Sequence, residues 1–319
     1  MSKRVTYFNG EHVPEHEARV SIYDSALMFG DMAFEVTRTF AHQPFRLRQH
    51  LERLYASLRM LEINCGLSID KMEQATLETL EKNIPTEADG MDWIILHDIS
   101  RGPLNFYRTA FAHGPCPTVI ISCWPIITHM GSFAPSYDSG INMVVPSQRA
   151  LPARMVDAKC KTRSRLHYQI ANLQAARMGH AAWPVLIDDD GYLTEGTGAN
   201  VFLVQNGSLL TPEPRNILRG VSRGTAIELA HKLGIPVMEM NLDRYEALAA
   251  DEIFATSTSY CLVHAATFED QVVGDGGVGP VARKIREAWK DLVKLDFMAQ
   301  ANTYAEHLEK WETQQAGGG

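Results

Sequence analysis

The 319-residue sequence has no apolar run approaching the roughly 20 residues that cross a bilayer, so nothing in it reads as a membrane span. It has no basic excess. Lys+Arg number 30 against Asp+Glu 38, a net charge of -8, which excludes a general nucleic-acid binder, because phosphates are neutralised by cations this chain does not have in surplus. The opening MSKRVTYFNGEHVPEHEARV lacks the apolar core of a signal peptide, and a cytoplasmic protein is expected. Cysteine is scarce: Cys65, Cys116, Cys123, Cys160 and Cys261 are odd in number and none has CxxC spacing, so neither a disulfide framework nor a zinc site is expected. Of the 12 histidines only His12 and His16 show HxxxH spacing, and with Pro14 between them they read as solvated loop residues; no metal is expected. There is no internal repeat. What is present is a 45% hydrophobic chain with ordinary Gly and Pro content, long enough for two domains.

The elements are mixed. VTYFNGEHV reads as two short strands around Asn9-Gly10, a pair that readily takes positive φ. MAFEVTRTF reads as a strand. FRLRQHLERLYASLRMLEI reads as a helix whose buried stripe is Leu51, Leu54, Leu58 and Leu61. A second helix follows near Ile69 to Lys82 with Ser68 as N-cap, then two buried strands, DWIILHDIS and TVIISCW. Pro, Gly and Ser without a clear period make 126–140 the expected interdomain linker, between a smaller N-terminal α/β domain (1–125) and a larger C-terminal domain (141–295). Beyond it come the strand INMVVPS, an irregular stretch with Lys159 and Lys161, and a helix from about Leu166 to Met178 stopped by Gly179. WPVLIDDDGYLTEGTGANVFLVQNGSLLTP reads as three strands. A helix starts near Ser222 and ends at Gly234, two strands surround a TSTS kink, and the helix PVARKIREAWKDLVKLDF carries Pro280 in its first turn. A C-terminal extension (296–319) places Ala301, Tyr304, Leu308 and Trp311 at helical spacing, which favours packing. Without regular βαβ alternation the class is α+β (mixed α/β), not a Rossmann fold or a TIM barrel.

Some motifs mislead. GDGGVG satisfies GxGxxG through Gly274, Gly276 and Gly279, but no strand with a terminal acid follows its helix, so it reads as a turn into a helix N-terminus. Asn206-Gly207-Ser208 reads as a hairpin turn and not as a glycosylation site. Cys160 lies between two lysines and still reads as an ordinary small residue.

Four features point to chemistry. His50 and Arg53 lie three apart on one helix face, away from the Leu51 and Leu54 face, where an arginine can grip a phosphate or carboxylate. In DAKCKTRSRLHY a lysine precedes a helix beside Arg163 and Arg165, whose charge favours the neutral, nucleophilic amine. In YLTEGTGANVF the carboxylate Glu195 is followed by small residues and then Asn200, a place for close backbone approach and for an acid that pairs with a ring nitrogen. ILRGVSRGTAIELA puts Gly220, Val221 and Ser222 at a helix N-terminus, and Ser257 and Thr258 stand at a strand end; such donors suit an anion. Taken alone, each has a plainer reading as solvated face, basic surface, hairpin turn or helix cap.

Taken in order, these residues resemble the fold-type IV, pyridoxal-phosphate-dependent enzymes of aminotransferase class IV. The resemblance runs over roughly 250 residues, from FGDMAFE through RLRQHLERL, KTRSRLHY, LIDDDGYLTEGTGANVFLV, TPEPRNILRGVSR and ADEIFATSTS to VGDGGVGPV. It implies a two-domain fold like that of the D-amino-acid aminotransferases, with pyridoxal 5'-phosphate in the larger domain. It implies Lys161 as the Schiff-base lysine that shuttles the Cα proton, favoured over Lys159 by its distance to Gly179. It implies Glu195 as partner of the pyridine nitrogen, Arg53 as the phosphate grip, and Val221, Ser222 and Thr258, with Ser257 beside them, as the rest of the phosphate cup. Leu218 resembles the leucine packed on the ring, and Asn200 belongs to the same cofactor set. The tyrosine that several branched-chain enzymes carry soon after the lysine is not at its place; the nearest is Tyr168.

The resemblance implies a ping-pong transaminase acting on a small amino donor and a keto-acid acceptor, in a homodimer. FGDMAFEVTRTF and ISRG lean toward D-amino-acid enzymes, and the aromatics beside Arg108 suit a bulky substituent. (R)-amine or D-amino-acid transamination is therefore expected ahead of branched-chain L-amino-acid transamination, with an aminodeoxychorismate-lyase-like reaction as a further alternative. Phe34, Val36 and Arg38, on one strand face, and Arg108 are the candidate substrate contacts.

Overall fold

The computed structural model describes residues 3–88, 90–111, 114, 116–179 and 181–317. The chain divides into two compact units. The first comprises Met1–His129, Cys160–Arg165 and Glu306–Gly319; the second comprises Met130–Lys159 and Leu166–Ala305.

The first unit is built on six strands, β1 (Val5–Phe8), β2 (Glu11–Pro14), β3 (Met32–Phe40), β4 (Gln43–Pro44), β5 (Trp93–Ser100) and β6 (Thr118–Pro125), in the order β2-β1-β6-β5-β3-β4. Every pairing is antiparallel. The β1–β2 turn forms because Asn9 (φ 52°) and Gly10 (φ 105°) both tolerate left-handed backbone. A short helix α1 (Ser25–Phe29) is capped by the Asp24 side chain and ended by Gly30 at φ 66°. Helices α2 (Leu47–Met60) and α3 (Ile69–Asn83) contribute to the core, where Leu47, Leu51, Leu54 and Leu58 pack with Trp93, Ile95, Ile99 and Ile121. Leu61 is only half-buried, since α2 ends one residue earlier. Ser68 caps α3 by accepting from the Lys71 N–H, as expected. His12 lies in β2, half-buried and 3.1 Å from Thr79 Oγ1, and is not the loop residue expected.

The second unit holds nine strands, β7 (Ile141–Val144), β8 (Ala182–Ile187), β9 (Leu193–Gly196), β10 (Asn200–Gln205), β11 (Ser208–Pro212), β12 (Val237–Met240), β13 (Glu252–Ser257), β14 (Cys261–Phe268) and β15 (Gln271–Val272). The order is β12-β11-β10-β13-β14-β7-β8-β9, with β15 on β14. Strand β9 also pairs with β10, so the path closes on itself, and the closing pair is Glu195 opposite Asn200. The stretch expected as three strands carries four, and the exposed edge strand β12 has too little alternation to be read in advance.

The segment expected as a linker is structured. It forms α4 (Ile127–Phe133) and α5 (Ser136–Ser139) and buries Ile126, Ile127, Met130, Phe133, Ala134 and Tyr137. The apolar spacing at 127, 130, 133 and 137 is helical, and the interspersed Gly, Ser and Pro hide it. The expected boundaries also miss the return of 160–165 to the first unit. The remaining helices are α6 (Leu166–Met178), α7 (Val221–Lys232), α8 (Arg244–Leu248), α9 (Pro280–Val293) and α10 (Phe297–Gly317). Ala301 and Tyr304 of α10 are buried, while Trp311, in the part that belongs to the first unit, donates to Glu87 Oε2 at 2.8 Å. No described helix is long and apolar enough to cross a membrane.

Candidate active site

In the first unit, β3 alternates its side chains between two faces. Ala33, Glu35, Thr37 and Thr39 share the face on which Ala33 joins the α2 leucines in the core and Glu35 meets Arg53; Phe34, Val36 and Arg38 share the other. The Lys161 segment runs beside the start of this strand. Phe34 N–H donates to Lys161 O (3.0 Å), Arg163 N–H donates to Met32 O (2.9 Å), and Ala33 bridges Thr162. The Lys161 N–H donates to Ser57 Oγ at 3.0 Å, and that hydroxyl donates to Arg53 O at 3.1 Å. Lys161 Nζ sits 4.7 Å from the centre of the Phe34 ring, and Arg163 Cζ sits 4.0 Å from it. Arg163 is fixed by Asp98 (2.7 and 3.1 Å), the cross-strand partner of Phe34.

Beneath this lies a buried charge cluster. Arg53 grips Glu35 through two parallel bonds of 2.8 Å, Nε to Oε2 and Nη2 to Oε1. Glu35 is fully buried, and His50 Nδ1 lies 3.6 Å from Oε1. Burial by itself would raise the Glu35 carboxyl, but the Arg53 charge, helped by His50 and Lys161, holds it well below the usual carboxylate range. The His50 imidazole is pushed down by burial, against the pull of Glu35.

In the second unit, Glu195 sits at the closing seam. Its Oε1 accepts from Tyr168 Oη (2.7 Å), and its Oε2 accepts from Leu218 N (3.0 Å) and Asn200 Nδ2 (3.2 Å). Asn200 Nδ2 also donates to Leu218 O at 2.9 Å. Gly220, the N-cap of α7, makes no side-chain cap, which leaves the first N–H groups of that helix to other acceptors. A Cβ on Gly220 would lie 2.1 Å from Asn200 Oδ1, so only glycine permits this approach. Across the sheet Asn200 faces Thr256, a buried hydroxyl with no partner among the described residues; Ser257 and Thr258 follow it, half-buried, and α7 packs on this strand.

The structure thus gathers Lys161, Arg53 and Phe34 in one unit, and Glu195, Asn200, Leu218, Val221 and Ser222 in the other. Val36 is half-buried on the Phe34 face. Arg38 is fully buried, stacked 4.1 Å over Phe40 with Nε donating to Thr39 O. Arg108 is exposed in the 3₁₀ turn Asn105–Ala110. Lys159 Nζ is bound by Asp157 Oδ2 (3.0 Å) and Arg215 O (3.0 Å). Sequence reasoning paired His50 with Arg53 but missed Glu35 and Ser57; the signal for Glu35 was a carboxylate in the FGDMAFE strand, on the face opposite Phe34. Among the described residues no group of three or more His, Cys, Asp or Glu could hold a metal.

A family model, amino-transferase class IV, matches residues 32–267. The chain belongs to the class IV aminotransferases. It is therefore a pyridoxal-5'-phosphate-dependent aminotransferase, using an amino donor and a keto-acid acceptor. The branched-chain-amino-acid aminotransferase of Escherichia coli K12 is 32% identical over 291 residues, covering 89% of this chain and 91% of that protein. A Methanocaldococcus jannaschii chain assigned as a branched-chain-amino-acid aminotransferase is 33% identical over 287 residues, covering 90% and 95%. The crystal structure of the E. coli branched-chain enzyme superposes with a TM-score of 0.80 at 29% identity over 91% of this chain and 94% of that one. That of the branched-chain aminotransferase from the thermophilic archaeon Thermoproteus uzoniensis with norvaline gives 0.78 at 25% identity, covering 94% and 97%.

The donor set of this chain fits the cofactor. A buried carboxylate held by three donors suits a protonated ring nitrogen, and an uncapped helix N-terminus beside the buried Ser222 suits a phosphate. When bound, pyridoxal 5'-phosphate supplies the carbonyl that takes up the amino group and the ring that draws electrons from Cα.

Proposed function

We propose that this class IV aminotransferase acts on branched-chain L-amino acids, moving their amino group to a keto acid. The observation that carries this reading is the relatedness to branched-chain enzymes over nine-tenths of both chains, 32% identity with the E. coli K12 protein. The apolar Phe34, beside the amine of Lys161, is the kind of surface an aliphatic side chain meets. The same relatedness displaces the ordering expected from FGDMAFEVTRTF, in which (R)-amines and D-amino acids came first.

In this reading Lys161 Nζ is the base that would take the Cα proton and give it back. Arg163 and Arg165 lie over the same Phe34 ring, 4.0 and 5.3 Å from its centre. Glu195 would pair with the ring nitrogen, and Tyr168, Asn200 and the Leu218 N–H keep the carboxylate in place. Leu218 would lie against the ring. By the family resemblance Arg53 would serve as a phosphate ligand, and so would the N–H groups of Val221 and Ser222, the Ser222 hydroxyl, Ser257 and Thr258. Val36 extends the apolar wall. We further propose a homodimer, because α6 turns Leu166, Ile170 and Leu173 outward at helical spacing and the 20–29 segment exposes Ile22, Leu27 and Phe29.

The test is the absorption spectrum of the purified protein after separate addition of L-leucine, D-alanine and (R)-1-phenylethylamine. Loss of the visible cofactor band to a near-ultraviolet one with L-leucine alone is expected. A response confined to D-alanine or to the (R)-amine overturns the substrate assignment.

A further inference from the structure

We propose that Glu35 is a positioning residue for cofactor phosphate binding, acting through Arg53 and not on the cofactor itself. The proposal rests on the assignment of Arg53 to the phosphate made above.

Arg53 sits in the middle of α2, and its side chain has rotamer freedom to lose before it can grip anything. Glu35 removes that freedom. Two bonds of 2.8 Å, from Nε and Nη2 to the two carboxylate oxygens, hold the guanidinium by one edge. A guanidinium carries five N–H donors, and the fork to Glu35 engages only the Nε and Nη2 side. Glu35 is itself immobile: it is fully buried in the centre of a nine-residue strand, with Val36 N–H donating to Oε1 at 3.1 Å and His50 close by.

Two further links tie this pair to the lysine. The strand that carries Glu35 binds the Lys161 main chain through Phe34 N–H, and the Ser57 hydroxyl joins the Arg53 carbonyl to the Lys161 amide. The guanidinium and the lysine are therefore set on one α2–β3 scaffold, with Glu35 fixing the orientation of the first. The carboxylate also compensates a half-buried cation, which is costly to leave unpaired when no phosphate is bound.

Equilibrium dialysis of the full-length chain against graded pyridoxal 5'-phosphate, and separately against phosphate-free pyridoxal, tests this. Retained cofactor is read by visible absorption. Glu35→Gln keeps the shape and removes the charge. It is expected to weaken pyridoxal 5'-phosphate binding at least tenfold and to leave pyridoxal binding within twofold of the parent. Adding Glu35→Gln to Arg53→Met is expected to change neither ligand further. If Glu35→Gln weakens both ligands equally, or neither, or acts undiminished on the Arg53→Met background, the proposal is overturned. If Arg53→Met itself leaves the preference for the phosphorylated ligand intact, it is the assignment of Arg53 that fails. Should Glu35→Gln not fold, Glu35→Asp, which withdraws the fork by one methylene, is read in the same way.

Discussion

The Tyr168 phenol donates to Glu195 Oε1 at 2.7 Å, so helix α6, which follows the Lys161 segment in the chain, holds the carboxylate at the seam of the second unit's sheet. Sequence comparison put this tyrosine out of place for a cofactor contact. Its phenol instead bonds the acid, and we propose that it orients it.

Removing that bond has a defined size. Hydrogen bonds to charged groups contribute about 1.5–3 kcal/mol. Tyr168→Phe is therefore expected to lower kcat/KM by roughly 10- to 100-fold in steady-state assays while the protein stays folded, because the ring remains. An unchanged rate would show that Asn200 and the Leu218 amide suffice.

The two lysines separate cleanly. Lys161→Ala is expected to abolish turnover and the visible cofactor band. Lys159→Ala is expected to keep the band, because its ammonium is occupied by Asp157 and Arg215 O. An absorption scan of each variant decides, and loss of the band in Lys159→Ala alone reverses the assignment.

Gly220→Ala introduces a methyl 2.1 Å from Asn200 Oδ1 at a residue whose backbone, φ -61°, is otherwise suited to alanine. The methyl can enter only by displacing Asn200 from Glu195 and Leu218 O. Overpacking of this kind costs about 1–3 kcal/mol. Urea denaturation is expected to show that loss, together with weaker retention of pyridoxal 5'-phosphate on dialysis.

Two buried histidines set an acid limit to stability. Thr76 Oγ1 donates to Met72 O, so the hydroxyl accepts from His97 Nε2–H, and burial pushes that imidazole down to about 4. His264 accepts from Arg286 at Nδ1 and is likewise pushed down to about 4, by burial first and the arginine second. In the unfolded chain both titrate near the ordinary value of about 6.5. Between those limits the unfolded chain binds more protons than the native one, so stability falls as pH falls from 6.5 toward 4 and is flat above, as far as these groups decide. Urea midpoints measured across that range should decline steadily, and His97→Gln should show a shallower decline whatever its absolute stability.

The fold was readable where a local period carries it. The α2 stripe, the Ser68 cap, the Asn9-Gly10 turn and the start of α9 at Pro280 each depend on residues within a few positions of one another. His50 and Arg53 do share a face, as their spacing requires, but that face is buried on Glu35, 18 residues from Arg53, and no period reports such a pairing. The Ser57 hydroxyl was invisible for the same reason, since its partner amide lies 104 residues on. In 126–140 the turn-forming residues outweighed an apolar spacing that the core makes decisive.

The first unit is assembled from three separated stretches of chain, and that sets an order of events during synthesis. Its main-chain bonds beside Met32 and Phe34 cannot form until residues 160–165 leave the ribosome. The link from Trp311 to Glu87, which also holds Arg4, waits for the final helix. Domains ordinarily fold as they emerge, N-terminal first. Here the first unit is completed only after the second has emerged, and the lysine arrives on a sheet that still awaits its tie to Trp311.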